Sequence, residues 1–164
     1  MEIKIYDYIG FGGVMAQDVI EQIGEEKDVS LRLNSPGGVV AEAIAIYNYL
    51  KNSGKNIHVY VDGYAASAAS VIMMAGQKVT VYPSSIIMLH KPSNIAFGNA
   101  DEMRKTADVL DIHEDAILEI YVSKATATRD EIRAMIQDET WLLGADAVAV
   151  GLADELKEDE QTLS

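Results

Sequence analysis

Few residues in this chain can do covalent chemistry. It has no cysteine, which removes disulfides, thiolate metal sites and cysteine nucleophiles, and it has only three histidines to serve as bases. Ser67 stands out by its surroundings. In Gly63-Tyr64-Ala65-Ala66-Ser67-Ala68-Ala69-Ser70 it sits at a strand-to-helix junction among small neighbours, open to an approaching carbonyl. The same serine would also suit an N-cap or a tightly packed small-residue helix. A serine hydroxyl is a weak nucleophile and needs an adjacent base. His58 falls on the polar face of a strand and His113 lies within a long helix, so both read as surface or packing residues. His90 differs, because it ends the apolar run Ile86-Ile87-Met88-Leu89 and precedes Lys91-Pro92, where a chain leaves a sheet for a loop. A carboxylate would orient its imidazole and stabilise the protonated form. Asp138 and Glu139, just before Trp141, are candidates by location.

A second feature could receive the charge that such a nucleophile generates. Asn34-Ser35-Pro36-Gly37-Gly38 joins a strand to a helix, and its two glycines can turn backbone N–H groups outward at a helix N-terminus. Such donors suit an oxyanion; the alternative is a plain tight turn. No Gly-Lys-Ser or Gly-Lys-Thr follows, which argues against a phosphate loop.

The elements that must position these residues alternate between strand and helix. Val29, Leu31 and Leu33 alternate with polar residues, as do Ile57, Val59 and Val61, so both stretches predict half-buried strands. Val79 with Val81, then Ile86 to Leu89, predict two more. Helical spacing recurs at Met15, Val19, Ile20 and Ile23, and at Val40, Ala43, Ile44, Tyr47 and Leu50. The stretch from Ala66 to Ala75 is small or apolar on every side and predicts an enclosed helix, with Ser67 and Ser70 its polar exceptions. Asn99 with Glu102, and Thr128 with Glu131, mark two further helix starts. The class is α/β in a single domain.

Composition bounds the function. The chain of 164 residues is 49% hydrophobic and 24% charged, enough apolar material for one full core. Its net charge of −13, with no basic cluster, disfavours nucleic-acid and anionic-membrane partners. Every apolar run is interrupted well short of the roughly 18 residues a membrane span needs. The opening MEIKIYDY carries acids and lacks the basic start of a secretory signal, so a cytoplasmic location is expected. The acidic run Asp154, Glu155, Glu158, Asp159, Glu160 reads as a solvated or frayed end.

Taken together, NSPGG after a strand, GYAASAAS centred on Ser67, MLHKP carrying His90, and the closing ETWLLGADAVAVGLADE resemble the ClpP serine peptidase family from about Glu2 to Glu155. The resemblance implies a ClpP/crotonase-type spiral of repeated strand-helix units in a domain over residues 1–156, while the acidic composition of 157–164 predicts a mobile tail. It implies that Ser67 is the nucleophile and His90 the general base, with the N–H groups of Gly38 and Ala68 forming the oxyanion hole and Gly37 shaping the turn beside it. Glu139 stands where the family usually has Asp, with Asp138 as its rival, and Ala68 stands where a methionine often follows the nucleophile. No cofactor or metal is implied. A homo-oligomer such as a ring is implied, with the stretch from Ser93 to about Leu118 forming a strand-and-helix handle that joins subunits and flanks a peptide groove.

The chain opens directly on its first core strand and helix. This is similar to the ClpP-like proteases of tailed bacteriophages and prophages, and implies an ATP-independent serine endopeptidase that processes scaffold and capsid proteins during prohead maturation, in a bacterial or infected-host cytoplasm. Four other readings stand beside it. A housekeeping-type ClpP proteolytic subunit would use the same site. A crotonase-type acyl-CoA enzyme shares the spiral and a two-amide oxyanion hole but needs neither Ser67 nor His90. A signal-peptide-peptidase-like Ser-Lys enzyme would use Lys91. An inactive ring-forming scaffold would retain the fold alone.

Overall fold

The computed structural model describes residues 1–158, so Asp159 and Glu160 of the acidic run lie outside the described residues. Strand and helix alternate as the spacing predicts: β1 (Glu2–Ile5), α1 (Ala16–Ile23), β2 (Asp28–Ser35), α2 (Val40–Asn52), β3 (Asn56–Ala66), α3 (Ala68–Met73), β4 (Lys78–Val81) and β5 (Ile86–Leu89). The second half adds α4 (Ala100–Lys124), α5 (Arg129–Gln137), β6 (Thr140–Leu143), α6 (Gly144–Ala149) and β7 (Glu155–Leu156). Strands β1, β2, β3, β4 and β7 lie side by side and pair in parallel. This is the single-domain α/β architecture of repeated strand-helix units.

The strand β3 forks the sheet. Its residues His58 to Val61 pair with β4, while Tyr64, Ala65 and Ala66 pair with β5. Buried Ser85 closes the fork by donating its hydroxyl to the Val61 carbonyl at 2.6 Å and accepting from the Tyr82 amide at 2.8 Å. β5 in turn carries β6 antiparallel. Alternating residues of the strands feed one core, where Leu31, Leu33, Val59, Val61, Val79 and Val81 are fully enclosed. α1 covers that core with Ala16, Val19 and Ile23, and α2 with Ala43, Ile46, Tyr47 and Leu50. Every residue of α3 is buried, the outcome expected of a helix small and apolar on all sides. Both helix-start signals form reciprocal capping boxes, Asn99 with Glu102 and Thr128 with Glu131.

Three details depart from the periodicity. The alternation ends at Asp62, yet β3 continues to Ala66 and α3 begins only after Ser67. Hydrogen bonding to β5, a partner some twenty residues away, holds Tyr64 to Ala66 extended where their composition favours helix. Between Leu89 and Ala100 no strand forms among the described residues, so the strand expected in the stretch from Ser93 to about Leu118 is not formed and α4 is its regular element. A strand requires a partner backbone, and within this chain Ile95 and Phe97 face solvent instead. Finally, Asp154 and Glu155 are not frayed. Asp154 accepts from the Val79 amide at 2.7 Å and from Lys124 at 2.8 Å, Glu155 pairs with Lys78 at 2.5 Å, and the Lys157 amide donates to the Val81 carbonyl at 2.8 Å. The open edge of β4 supplies the ladder that orders them.

The polar side of the sheet holds His58, stacked on Tyr60 at 4.0 Å. Thr80 gives its one hydroxyl proton to Glu155, so it accepts from His58 Nε2–H at 2.7 Å, leaving Nδ1 to accept from the Tyr60 hydroxyl at 3.0 Å. Burial, then the Lys78 charge, hold the His58 pKa below its ordinary value. His58 is a packing residue on the polar side of the sheet, one of the two roles its strand position predicts, and its surroundings favour the neutral ring.

Candidate active site

Strand register brings the predicted residues together. Ala66 is aligned with Met88 in the parallel β3–β5 pair, so Ser67 and His90 emerge side by side at the carboxyl ends of adjacent strands. The Ser67 amide donates to the Met88 carbonyl at 2.8 Å, locking that alignment one residue before the helix starts. Leu89 is aligned with Thr140 in the antiparallel β5–β6 pair, which puts Glu139, the residue before Thr140, beside His90, the residue after Leu89.

Ser67 adopts φ 55° and ψ −124°, a conformation that costs a non-glycine residue about 1–3 kcal/mol. Although it occupies the N-cap position of α3, its side chain makes no capping bond. Instead Ser67 Oγ lies 2.7 Å from His90 Nε2. A serine hydroxyl meeting neutral imidazole at that distance donates to Nε2, which assigns the ring proton to Nδ1. Nδ1 faces Glu139 Oε1 at 3.4 Å. That separation is longer than a good hydrogen bond, and the Glu139 side chain is 58% exposed. The three side chains thus lie in the order hydroxyl, imidazole, carboxylate, with the proton path from Oγ to Nε2 already formed.

Glu139 also stands in an uncommon backbone state. It follows the last residues of α5 with φ 50°, the left-handed conformation that usually ends a helix on glycine. Holding a glutamate there costs about 1 kcal/mol relative to glycine. Glu139→Gly is therefore expected to leave thermal stability equal or slightly raised while slowing any Ser67-dependent reaction by about 10- to 100-fold, since the imidazolium loses its orienting carboxylate. Asp138→Asn should change neither. Melting curves and the rate of Ser67 acylation check both variants together.

The glycine segment lies against the Ser67 turn. A Cβ built on Gly37, whose φ is 98°, would stand 2.7 Å from the Ala66 carbonyl oxygen, 2.9 Å from Ser67 Cβ and 3.0 Å from the Ala68 nitrogen. The Gly37 amide is taken by buried Ser35 Oγ at 3.2 Å, and Ser35 in turn donates to the Asp7 carbonyl at 2.7 Å. Gly38 approaches the Ile9 carbonyl so closely that a Cβ would sit 2.0 Å from its oxygen. The amide of Ala68, first in α3, has no partner within its own helix. A groove of about 220 Å³ runs beside Gly38, between Val39 to Ala41 on one side and Pro92 to Asn94 on the other, with Tyr8, Leu110 and His113 completing it.

Not every candidate joins the cluster. Asp138 is exposed at the end of α5 and makes no contact with His90, so geometry separates it from its neighbour Glu139. Lys91 is exposed, and His90 rather than Lys91 meets the serine. His113 lines the groove instead of lying idle on its helix. Sequence reading missed the brace that Ile9 applies to the glycines, through Ile9 N to Gly37 O at 2.9 Å and Val39 N to Ile9 O at 2.8 Å. No local signal marks Ile9, because its partners are backbone atoms almost thirty residues away. Among the described residues, no group of three or more His, Asp or Glu side chains is placed to hold a metal ion, and no helix is long and apolar enough to cross a membrane.

A sequence comparison places the chain in a family. The Clp protease family model matches residues 13–160, which covers nine-tenths of the chain and both strand ends that carry Ser67 and His90; the chain belongs to the Clp protease family. Among curated proteins it is similar to the ATP-dependent Clp protease proteolytic subunits of two strains of Bacteroides fragilis, each 28% identical over 139 residues. Those matches take in 84% of this chain but only 67% and 63% of the relatives' own lengths.

Proposed function

We propose that this protein is a serine endopeptidase working through Ser67, His90 and Glu139. The observation that carries the reading is the 2.7 Å contact between Ser67 Oγ and His90 Nε2 at a positive-φ turn, with a carboxylate on the far ring nitrogen. In the proposed reaction Ser67 Oγ adds to a peptide carbonyl carbon as its proton passes to His90 Nε2. Glu139 steadies the imidazolium, and the N–H groups of Gly38 and Ala68 receive the carbonyl oxygen as it gains charge. His90 then gives its proton to the departing amine, the C–N bond breaks, and an acyl ester remains on Ser67. Water, deprotonated by His90, releases the acid and restores the hydroxyl.

We assign the groove beside Gly38 to the peptide chain, which can lie against the exposed backbone there as an added strand. The working form in this reading is a homo-oligomer such as a ring, in which α4 and the exposed Ile95 and Phe97 lie at subunit contacts. Cleavage of phage scaffold or capsid proteins without an ATPase is the finer reading, and it rests on the resemblance to prohead proteases. Similarity to the ATP-dependent Clp protease proteolytic subunits of Bacteroides fragilis favours a second one, a proteolytic subunit that works with an ATP-dependent partner. Incubating separated oligomeric fractions with an unfolded polypeptide and with scaffold protein, then mapping new N-termini by mass spectrometry, tests these readings. Cleavage of either, lost in Ser67→Ala, is expected. Absence of cleavage in every assembled fraction, with no acylation of Ser67, would overturn the peptidase reading.

A further inference from the structure

Ser70 and Tyr121 are a buried polar pair with no place in the reaction above. Ser70 lies one turn into α3 from Ser67, Tyr121 comes from α4, and both are enclosed. The Ser70 hydroxyl is 2.6 Å from the Ser67 carbonyl oxygen and 2.6 Å from the Tyr121 hydroxyl. A carbonyl can only accept, so Ser70 uses its one proton on Ser67, and Tyr121 must then donate to Ser70 Oγ. Burial raises the Tyr121 pKa, so the phenol keeps the proton this direction requires. The Ser67 carbonyl also accepts from the Ser70 amide at 2.9 Å, while the Ser67 amide is held by Met88 at 2.8 Å. Both peptide groups that flank the unfavourable φ and ψ of Ser67 are thereby fixed, one by β5 and the other by Ser70.

We propose that Ser70 and Tyr121 are positioning residues: a relay from Tyr121 to Ser70 to the Ser67 carbonyl that holds Ser67 in its positive-φ conformation and aims Oγ at His90. The proposal rests on the reading of Ser67 as a nucleophile. Without the Ser70 hydroxyl the Ser67 carbonyl keeps only the Ser70 amide at 2.9 Å, and a residue at positive φ immediately before α3 is then held less firmly against relaxation toward ordinary helix. Ser70 is the direct restraint. Tyr121 acts only through Ser70, by fixing its hydroxyl rotamer and polarising it.

The test uses the full chain carrying Ser70→Ala, Tyr121→Phe, both together, or Ile23→Ala, a core truncation in α1 far from the turn. Three quantities are measured: the second-order rate of fluorophosphonate labelling at Ser67, amide hydrogen exchange in peptides spanning residues 64–72, and Tm. Ser70→Ala is expected to slow labelling by about 10-fold and Tyr121→Phe by about 3-fold, with the double variant no slower than Ser70→Ala because the links act in series. Exchange across the turn should quicken in the same order. Ile23→Ala should lower Tm and leave both other quantities unchanged. Wild-type labelling and exchange in Ser70→Ala, additive losses in the double variant, or an equal loss of labelling in Ile23→Ala would each overturn the proposal. If Ser70→Ala does not fold, the Tyr121→Phe comparison decides. If the wild-type chain is never labelled, the nucleophile reading falls, while the exchange measurement still decides whether the pair holds the turn.

Discussion

Ser67→Ala is expected to abolish covalent capture by a fluorophosphonate and, under the proposed mechanism, to lower peptide turnover on the order of 10⁴-fold or more, the loss that follows when a nucleophile working as one unit with its base is removed. His90→Ala is expected to come close to it, slowing capture at Ser67 by about 10²- to 10⁴-fold, because an unassisted hydroxyl must lose its proton to water. The structure explains why the two losses should not add: Ser67 Oγ and His90 Nε2 share one proton across 2.7 Å, so removing either end leaves the other without a role. Neither variant should unfold the protein. The Ser67 side chain caps no helix and is only half-buried, and His90 sits at a strand end. Intact-mass spectrometry with peptide mapping, run alongside melting curves, checks both points. An adduct that forms on Ser67 at the same rate in His90→Ala would sink the assignment of His90 as base, and an adduct on another serine would sink that of Ser67.

Gly38→Ala is expected to have the next largest effect, and by a different route. The new Cβ would have to occupy a point 2.0 Å from the Ile9 carbonyl oxygen, which is itself held by the Val39 amide at 2.8 Å. Neither backbone can give way without breaking the bridge that ties the Ile9 segment to the glycines. Overpacking together with a lost hydrogen bond costs about 3 kcal/mol, which lowers Tm by about 6–12 °C in a domain of this size. Moving the Gly38 amide also withdraws a donor from the proposed oxyanion site, where one donor is worth about 10²- to 10³-fold in rate. Gly38→Ala should therefore lose both stability and labelling, whereas Ser67→Ala loses labelling alone. A Gly38→Ala protein with wild-type Tm and wild-type labelling would show that the segment neither packs nor acts as described.

Much of this was legible in the chain. The alternation of Val29, Leu31 and Leu33, and of Ile57, Val59 and Val61, determines strands because period-two burial admits no other regular backbone. The capping residues Asn99 and Thr128 start helices because their side chains satisfy amides of the first turn, a local interaction complete within four residues. Ser67 and His90 stand out as residue types, each at the end of an element with small or turn-forming neighbours. The sequence by itself determined that one serine and one histidine could do this chemistry, and that two glycines could turn a chain beside them.

Only the tertiary structure decided that they meet. The Ser67–His90 contact follows from the register that sets Ala66 opposite Met88, and Glu139 was separated from Asp138 by the antiparallel register that sets Leu89 opposite Thr140. A shift of one residue in either pairing would turn these side chains to other faces, and nothing local in the sequence reports such a shift. The same holds for Ile9 against Gly38 and for Tyr121 against Ser70, partners 29 and 51 positions apart whose contacts are backbone approach and buried hydroxyls. Local chemistry specifies which residues can act and which elements carry them. Pairing between distant strands fixes the ångström-scale alignment on which proton transfer depends, because that alignment is the sum of contacts spread over the whole chain.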